Sequence, residues 1–241
     1  MTSDTRRLRL ALFDLDHTLL PLDSDYEWGE FTIRIGWNDP VEFARRNDEF
    51  YAHYQAGTLN VHDYVRFATE AVRLRGPEAS AAAHAQFMRE VIGPAIQPQA
   101  LKLVREHQEA GDTVLIVTAT NEFVTRPIAK ALGVEDAALL AVQLVRDPLN
   151  GWYTGEIDGV PTMREGKVRR MEAWLTERGL TWSDVDSTFY SDSMNDVPLL
   201  DKVTHAVATN PDPRLRALAQ ERGWRILDLF PKTDASQDTA S

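Results

Sequence analysis

The sequence predicts an α/β fold: a doubly wound parallel sheet with a helical lid inserted after its first strand. Three observations carry this. Short apolar runs alternate with amphipathic segments that close on glycine. The alternation breaks in one long stretch, residues 23–93, where every periodic segment is helical. The apolar runs end on acidic, hydroxyl or amide residues, as strands do where an open α/β sheet builds a ligand site.

The first strand spans residues 8–15 and ends in Leu10-Ala-Leu-Phe-Asp14-Leu-Asp16-His-Thr18. Alternation along a strand sends Asp14 and Asp16 the same way and Leu15 the other. Helices are expected next over 25–35, 40–56, 60–75 and 77–91, rich in aromatic residues. The alternating pattern then begins, with a helix over 97–110 stopped by Gly111 and a strand over 113–118. Helix 122–132 closes on Gly133, helix 166–178 on Gly179 and helix 213–222 on Gly223. Strands are expected at 187–191 and 204–208, with a weaker one at 225–229. Residues 142–159, with Asn150-Gly151 and Asp158-Gly159 bracketing 152–157, read as a β-hairpin. The organisation is therefore a core of 1–22 and 94–231, a helical cap of 23–93, and a small, polar, disordered tail of 232–241.

Composition narrows the function. At 241 residues and 43% hydrophobic content the chain suits a globular core with one insertion. A net charge of −11 argues against nucleic-acid or anionic-membrane partners, though not against a small anion held by a local cation. The absence of cysteine removes thiol catalysis and Cys-type zinc sites. The amino-terminal run is interrupted by Asp14 and Asp16, too short for a signal peptide or membrane helix, so a cytoplasmic protein is expected.

Two carboxylates at one strand end repel unless a cation sits between them, and a hard divalent ion such as Mg²⁺ is the natural partner. Alone, the pair is also what a strand ending in a polar turn looks like. Residues further along the chain decide between the two. Thr118 ends the second strand, Lys167 opens a helix in Arg164-Glu-Gly-Lys167, and Asp192-Ser-Met-Asn195-Asp196 comes after a later strand. Phosphoryl transfer from a monoester needs a nucleophile, cations for the spreading charge and a proton for the leaving alkoxide. These residues, in this order, supply each part.

On these four motifs the chain resembles phosphatases of the haloacid dehalogenase superfamily, subfamily IB, and the resemblance covers about residues 8–229. It implies a Rossmann-like sheet with a small helical C1-type cap, as in the phosphoserine phosphatase-like branch. It implies that Asp14 is the nucleophile, forming an aspartyl-phosphate, and that Asp16 protonates the leaving alkoxide and then activates water. Thr118 and Lys167 would hold the phosphoryl oxygens. Mg²⁺ would sit between Asp14, Asp192 and the backbone carbonyl of Asp16, while Asn195 and Asp196 support its waters and the lysine.

The substrate is expected to be a small amino-acid-pathway phosphomonoester. Thr118-Ala-Thr120-Asn121 departs from the Ser-Gly-Gly of phosphoserine phosphatases, and the wider pattern is similar to a bacterial branch that includes histidinol-phosphate phosphatases. Asp23, Asp25, Tyr26 and Trp28 are placed to receive an ammonium or imidazolium, with Thr120 and Asn121 beside them. Phosphoserine is the alternative, since Arg45, Arg46 and Arg66 are at hand for a carboxylate. Most of Trp28, Phe31, Phe43, Phe50, Tyr51 and Tyr54 are expected to pack as the cap's own core. A receiver-like phospho-accepting signalling module and a phosphotransferase or phosphomutase are the competing classes. The histidines show no metal-ligand spacing and carry no expected role.

Overall fold

A computed structural model describes residues 7–230; the expected tail lies outside the described residues. Six parallel strands form the main sheet. They are β1 (Leu8–Phe13), β2 (Thr113–Asn121), β3 (Leu139–Val142), β6 (Val185–Ser191), β7 (His205–Thr209) and β8 (Arg225–Leu227). Their order across the sheet is β3-β2-β1-β6-β7-β8. β1 runs centrally, with Ala11 opposite Val114 on one side and Thr188 on the other.

The pleat of β1 divides the apolar interior. Ala11 and Phe13 join one buried cluster with Val104 of α6 (Pro98–Glu109) and Ile128 of α7 (Glu122–Ala131). Leu10 and Leu12 join the other, with Met171 of α8 (Glu165–Thr176), Leu199 of the short α9 (Val197–Leu200) and Leu215 of α10 (Pro213–Arg222). A sheet covered on both faces is what its continuous apolar strands require.

The stretch after β1 is helical, as expected: α1 (Ser24–Arg34), α2 (Pro40–Ala56), α3 (Val61–Ala68) and α4 (Glu70–Phe87). Asp23, Asp39 and Asn60 cap the first three through side-chain oxygens on backbone N–H groups. Chain direction breaks at Gly76, whose φ of 76° leaves helical space just before Pro77. The helix expected over 60–75 divides at Thr69, which spends its hydroxyl on the Val65 carbonyl. A π-helical turn, Met88–Ile92, and the short α5 (Gly93–Ala95) return the chain to the sheet. The block shares the core of the sheet: Trp28, Phe31, Val72 and Phe87 belong to the same buried cluster as Phe13, while Phe43 stacks on Phe67 apart from it.

Two details depart from the sequence expectation. β3 is a strand that the sequence does not announce; its four buried residues come after a 3-10 turn, and only pairing with β2 defines them. β1 stops at Phe13 because Asp14 makes the last ladder bond, to the Tyr190 carbonyl at 2.9 Å, before the backbone turns. The hairpin forms as expected from β4 (Leu144–Arg146) and β5 (Tyr153–Ile157). It leans on the helical block: Trp152 Nε1 donates to the Val72 carbonyl at 3.1 Å and Arg66 pairs with Glu156 at 2.9 Å. Among the described residues no helix is long and apolar enough to cross a membrane.

Candidate active site

Parallel strands β1, β2 and β6 all end on the same edge, and their first residues beyond the ladder converge there. Asp14, buried, accepts from Lys167 Nζ at 2.8 Å on Oδ1. The same ammonium donates to Asp196 Oδ2 at 2.6 Å, and Ser191 Oγ donates to that oxygen at 2.7 Å. Lys167 is only 2% exposed, so its charge is balanced by these two carboxylates rather than by water. Both hold it protonated against the opposing effect of burial. Its place depends on the entry to α8: Arg164 there has φ 52° and ψ −124°, a backbone geometry that side chains disfavour.

Asp16 projects beside Asp14. Its Oδ1 accepts the Ser24 backbone N–H and its Oδ2 the Thr120 hydroxyl, each at 2.8 Å. Burial and the neighbouring charge of Asp23 push its carboxyl up to about 6, against these hydrogen bonds. Thr118 is buried and accepts the Thr120 N–H at 3.1 Å, which aims its hydroxyl group at the cavity it lines. Asp192 exchanges bonds with Thr18, whose hydroxyl lies 3.1 Å from both Asp192 Oδ1 and Asp192 N. Burial, Asp14 and Asp196 push Asp192 well above the usual carboxylate range.

Asp14, Asp16, Asp192 and Asp196 thus share one edge with one buried ammonium. A further cation would relieve that imbalance, and the donors are hard oxygens of the kind Mg²⁺ takes. No three carboxylate or imidazole side chains converge into a ready-made cage among the described residues. Two carboxylates, a backbone carbonyl and waters are the usual alternative for Mg²⁺, which keeps part of its hydration.

From this edge a narrow cavity extends under the helical block. Asp14, Asp16, Thr118 and Thr120 form its floor, and Asp23, Asp25, Tyr26, Tyr51, Tyr54 and Tyr64 line its walls. Among the described residues no lysine, arginine or histidine lines it. Asp25 is buried there: burial foremost, then the charge of Asp23, push its carboxyl up to about 8, with hydrogen bonds from Tyr64 and Asn121 opposing. Asn121 Nδ2 donates to Asp25 Oδ1 at 3.1 Å while its own Oδ1 caps α7. The three arginines at hand for a carboxylate are engaged elsewhere. Arg45 pairs with Glu42 and Glu49, Arg66 with Asp63 and Glu156, and Arg46 lies 4.4 Å over the Phe67 ring.

Several sequence expectations need correction. Trp28 is not at the cavity: it is 2% exposed, with its ring 5.3–5.5 Å from those of Phe31, His84, Phe87 and Phe123. Trp28 follows Asp25 by three residues on α1, yet its ring packs into the core while the Asp25 carboxyl reaches the cavity. Asn195 does not reach the lysine; its side chain spans Arg164 Nε, at 3.3 Å, and the Tyr54 carbonyl, at 3.2 Å. Asp23 lines the cavity but spends Oδ1 on the Asp25 and Tyr26 N–H groups, at 3.0 and 2.9 Å. Tyr26 lines it too, its hydroxyl donating to Asp48 at 2.7 Å. Phe31 and Phe43 pack inside, whereas Phe50, Tyr51 and Tyr54 face the cavity. Thr18, Tyr64 and Arg164 are site residues that sequence reasoning misses. Thr18 lies inside the first motif, but only the fold brings it to a residue 174 positions away.

A parallel α/β sheet whose carboxyl edge gathers paired acids, a buried lysine and strand-end hydroxyls defines a phosphoryl-handling hydrolase. The chain belongs to the haloacid dehalogenase-like hydrolase family, whose model matches residues 11–201. Members of that family are generally Mg²⁺-dependent. A histidinol-phosphatase of Neisseria meningitidis is 40% identical, over 91% of this chain and 98% of its own. A phosphoserine phosphatase of Mycobacterium tuberculosis is 32% identical, over 91% of this chain and 70% of its own. Among solved structures, a Bordetella pertussis protein of unknown function matches at TM-score 0.87 and 50% identity, over 93% of this chain and 100% of its own. A phosphoserine phosphatase with a phospho-aspartyl intermediate analogue shares the fold, at TM-score 0.62 and 19% identity over 93% and 95%.

Proposed function

We propose that this hydrolase is a Mg²⁺-dependent phosphomonoesterase that acts through an aspartyl-phosphate on Asp14 and frees a small cationic amino alcohol, histidinol from histidinol phosphate. The observation that carries the substrate class is the cavity wall, acidic and tyrosine-rich with no cationic side chain among the described residues. An ammonium or imidazolium finds carboxylates and aromatic faces there, while a substrate carboxylate finds no arginine. The name of the Neisseria relative agrees with this reading. Phosphoserine is the second reading, favoured by the name of the mycobacterial relative.

In this mechanism Asp14 attacks phosphorus in line with the departing oxygen. Its Oδ1 is held by Lys167, which fixes the carboxylate and opposes the burial that pushes its carboxyl above the usual range, leaving Oδ2 to attack. Lys167 and the Thr118 hydroxyl hold the phosphoryl oxygens. Asp16, raised to about 6, carries a proton more readily than an ordinary carboxyl; it gives that proton to the alkoxide and later takes one from the attacking water. The Ser24 N–H and Thr120 hydroxyl hold Asp16 in place for both transfers. Asp14, Asp192 and the Asp16 carbonyl would hold Mg²⁺, which when bound neutralises charge on the phosphoryl oxygens. Residues 23–93 serve as a cap over a core of 1–22 and 94–231, shielding the intermediate from bulk water.

The test is inorganic phosphate release with Mg²⁺ and no added acceptor, from histidinol phosphate, phosphoserine and a neutral aryl phosphate side by side. Histidinol phosphate is expected to have the highest kcat/KM. Preference for phosphoserine would overturn the substrate assignment. Consumption of ester without inorganic phosphate, the phosphoryl group appearing instead on an added alcohol, would overturn hydrolysis in favour of phosphotransfer.

A further inference from the structure

The end of α2 is tied to the active-site edge by two side chains that take no part in the catalytic steps. Asn195 Nδ2 donates to the Tyr54 carbonyl at 3.2 Å, and its Oδ1 accepts Arg164 Nε at 3.3 Å. The Arg164 guanidinium also donates to the Gly57 carbonyl, so together the two side chains bond carbonyls at the end of α2, that of Tyr54 in addition to its bond from the Gly57 N–H. Gly57 closes α2 in the left-handed conformation, and a Cβ there would run into Arg164. Arg164 itself sits at φ 52°, ψ −124°, a conformation that persists in a non-glycine residue only where its surroundings enforce it. Asn195 shares its turn with Asp196, the partner of Lys167, so one turn holds both the lysine and the clamp.

What the clamp presents is Tyr54. This side chain lines the cavity with Asp14, Asp16 and Thr118, and also the adjoining cleft with Asp192 and Asn195. Burial and the charges of Asp14, Asp196, Asp192 and Asp23 push its hydroxyl well above the usual tyrosine range, so it is a donor at neutral pH. Among the described residues, burial and carboxylate charges act on that hydroxyl, with no side-chain hydrogen bond beside them. A hydroxyl donor that lines the same cavity as the nucleophile is placed for an oxyanion.

We infer that the Tyr54 hydroxyl contacts the transferring phosphoryl group from the cap side, and that Arg164 and Asn195 are positioning residues that hold it there. This rests on the phosphomonoesterase reading. Loss of one preorganised donor to a developing oxyanion lowers turnover strongly. Tyr54→Phe should therefore lower kcat about 10- to 100-fold on both cationic and neutral esters, with KM moving less than threefold.

Arg164→Gly removes the guanidinium while giving that backbone a residue suited to it, so the fold should persist with Tm within a few degrees of wild type. Its kcat should fall in the same range, and the double variant Tyr54→Phe/Arg164→Gly should be no slower than Tyr54→Phe, because both remove one contact. Additive losses, or a slow Arg164→Gly beside an unaffected Tyr54→Phe, would overturn the inference. Orthovanadate binding, measured by calorimetry, gives a readout without turnover and should weaken about tenfold in each single variant. A wild type that hydrolyses esters but whose variants keep full activity and vanadate affinity refutes the role of Tyr54 alone. A wild type that binds vanadate through Tyr54 yet hydrolyses no ester refutes the phosphomonoesterase reading and leaves the oxyanion contact standing.

Discussion

Asp25 gives the sharpest test of how the cavity selects its substrate. With its carboxyl raised to about 8, Asp25 is protonated roughly ten to one at pH 7 and roughly a hundred to one at pH 6. A cationic ester gains an ion pair only with the ionised minority, so its kcat/KM should track that fraction. The ionised share is about 1% at pH 6, about 9% at pH 7 and about 50% at pH 8. Consider the ratio of kcat/KM for an aminoalkyl phosphate to that for p-nitrophenyl phosphate. Proton requirements of the chemical step are common to both and cancel. The ratio should rise about two- to sixfold from pH 6 to 7, about four- to fivefold from 7 to 8, and level off above.

Asp25→Asn keeps shape and neutrality but cannot ionise. At pH 8 it should lower the ratio by about 10- to 100-fold, the value of a charge-assisted contact of about 1.5–3 kcal/mol, and flatten its pH dependence. At pH 6 the loss should shrink to about threefold or less, since most wild-type molecules are then neutral there already. Stability gives a second signature. The folded pKa lies above the unfolded 3.8, so the contribution is fully present below that value and lost as pH rises through about 8. The Asn variant escapes this loss and should be the more stable protein at pH 8.5, by at most about 6 kcal/mol at ~1.4 kcal/mol per pH unit. A wild-type ratio flat from pH 6 to 8, or equal losses on both esters in Asp25→Asn, would refute the reasoning.

Lys167→Ala should abolish turnover and destabilise by about 3–5 kcal/mol, because Asp14 and Asp196 are left buried without their shared counter-charge; chemical denaturation and phosphate release check the two effects. Trp28→Ala should cost about 3–5 kcal/mol of stability through the cavity left in the core, while kcat per folded molecule stays within about twofold, measured below the lowered Tm. Chelation by EDTA should stop phosphate release and added Mg²⁺ restore it; activity that persists after exhaustive chelation counts against a metal between Asp14 and Asp192.

The sequence discloses the chemistry of this site better than its selectivity, for a physical reason. Strand ends in a parallel sheet share one edge, so residues just beyond apolar runs must converge: Asp14, Thr118 and Asp192 are legible because topology leaves them one place to go. Lys167, on a helix, is legible only through the order of the motifs and the resemblance that they carry. The helical block offers no such constraint. Its periodicity marks which residues lie on one stripe, but not whether that stripe faces the sheet, the cavity or water. Trp28 and Asp25 are grouped by proximity in sequence, yet three positions along α1 separate a core ring from a cavity carboxylate. Periodicity expects most of the six cap aromatics in the core without saying which, and it is Phe50, Tyr51 and Tyr54 that line the cavity. β3 is invisible in the sequence because four apolar residues carry no period of their own and gain identity only from β2.

Charge explains why the two halves of the site must be read together. Four aspartates at the sheet edge and Asp23 and Asp25 above them gather six carboxyls against Lys167 as the buried cation, while Arg164 and Arg214 line only the adjoining cleft, with Asp212. Such an assembly is stable only if some carboxyls hold protons, as the values of about 6 for Asp16 and about 8 for Asp25 describe, or if cations arrive. A divalent ion at the sheet edge and a cationic alcohol under the helices would each relieve a different part of that imbalance. The phosphoryl group between them brings negative charge to the one place where Lys167, the Tyr54 hydroxyl and the metal can meet it. A carboxylate-bearing substrate would add a seventh carboxyl to a wall of aspartates and tyrosines, with no cation among its lining residues to receive it. Rejection of that anion, as much as attraction of the ammonium, is how this cavity would choose its ester.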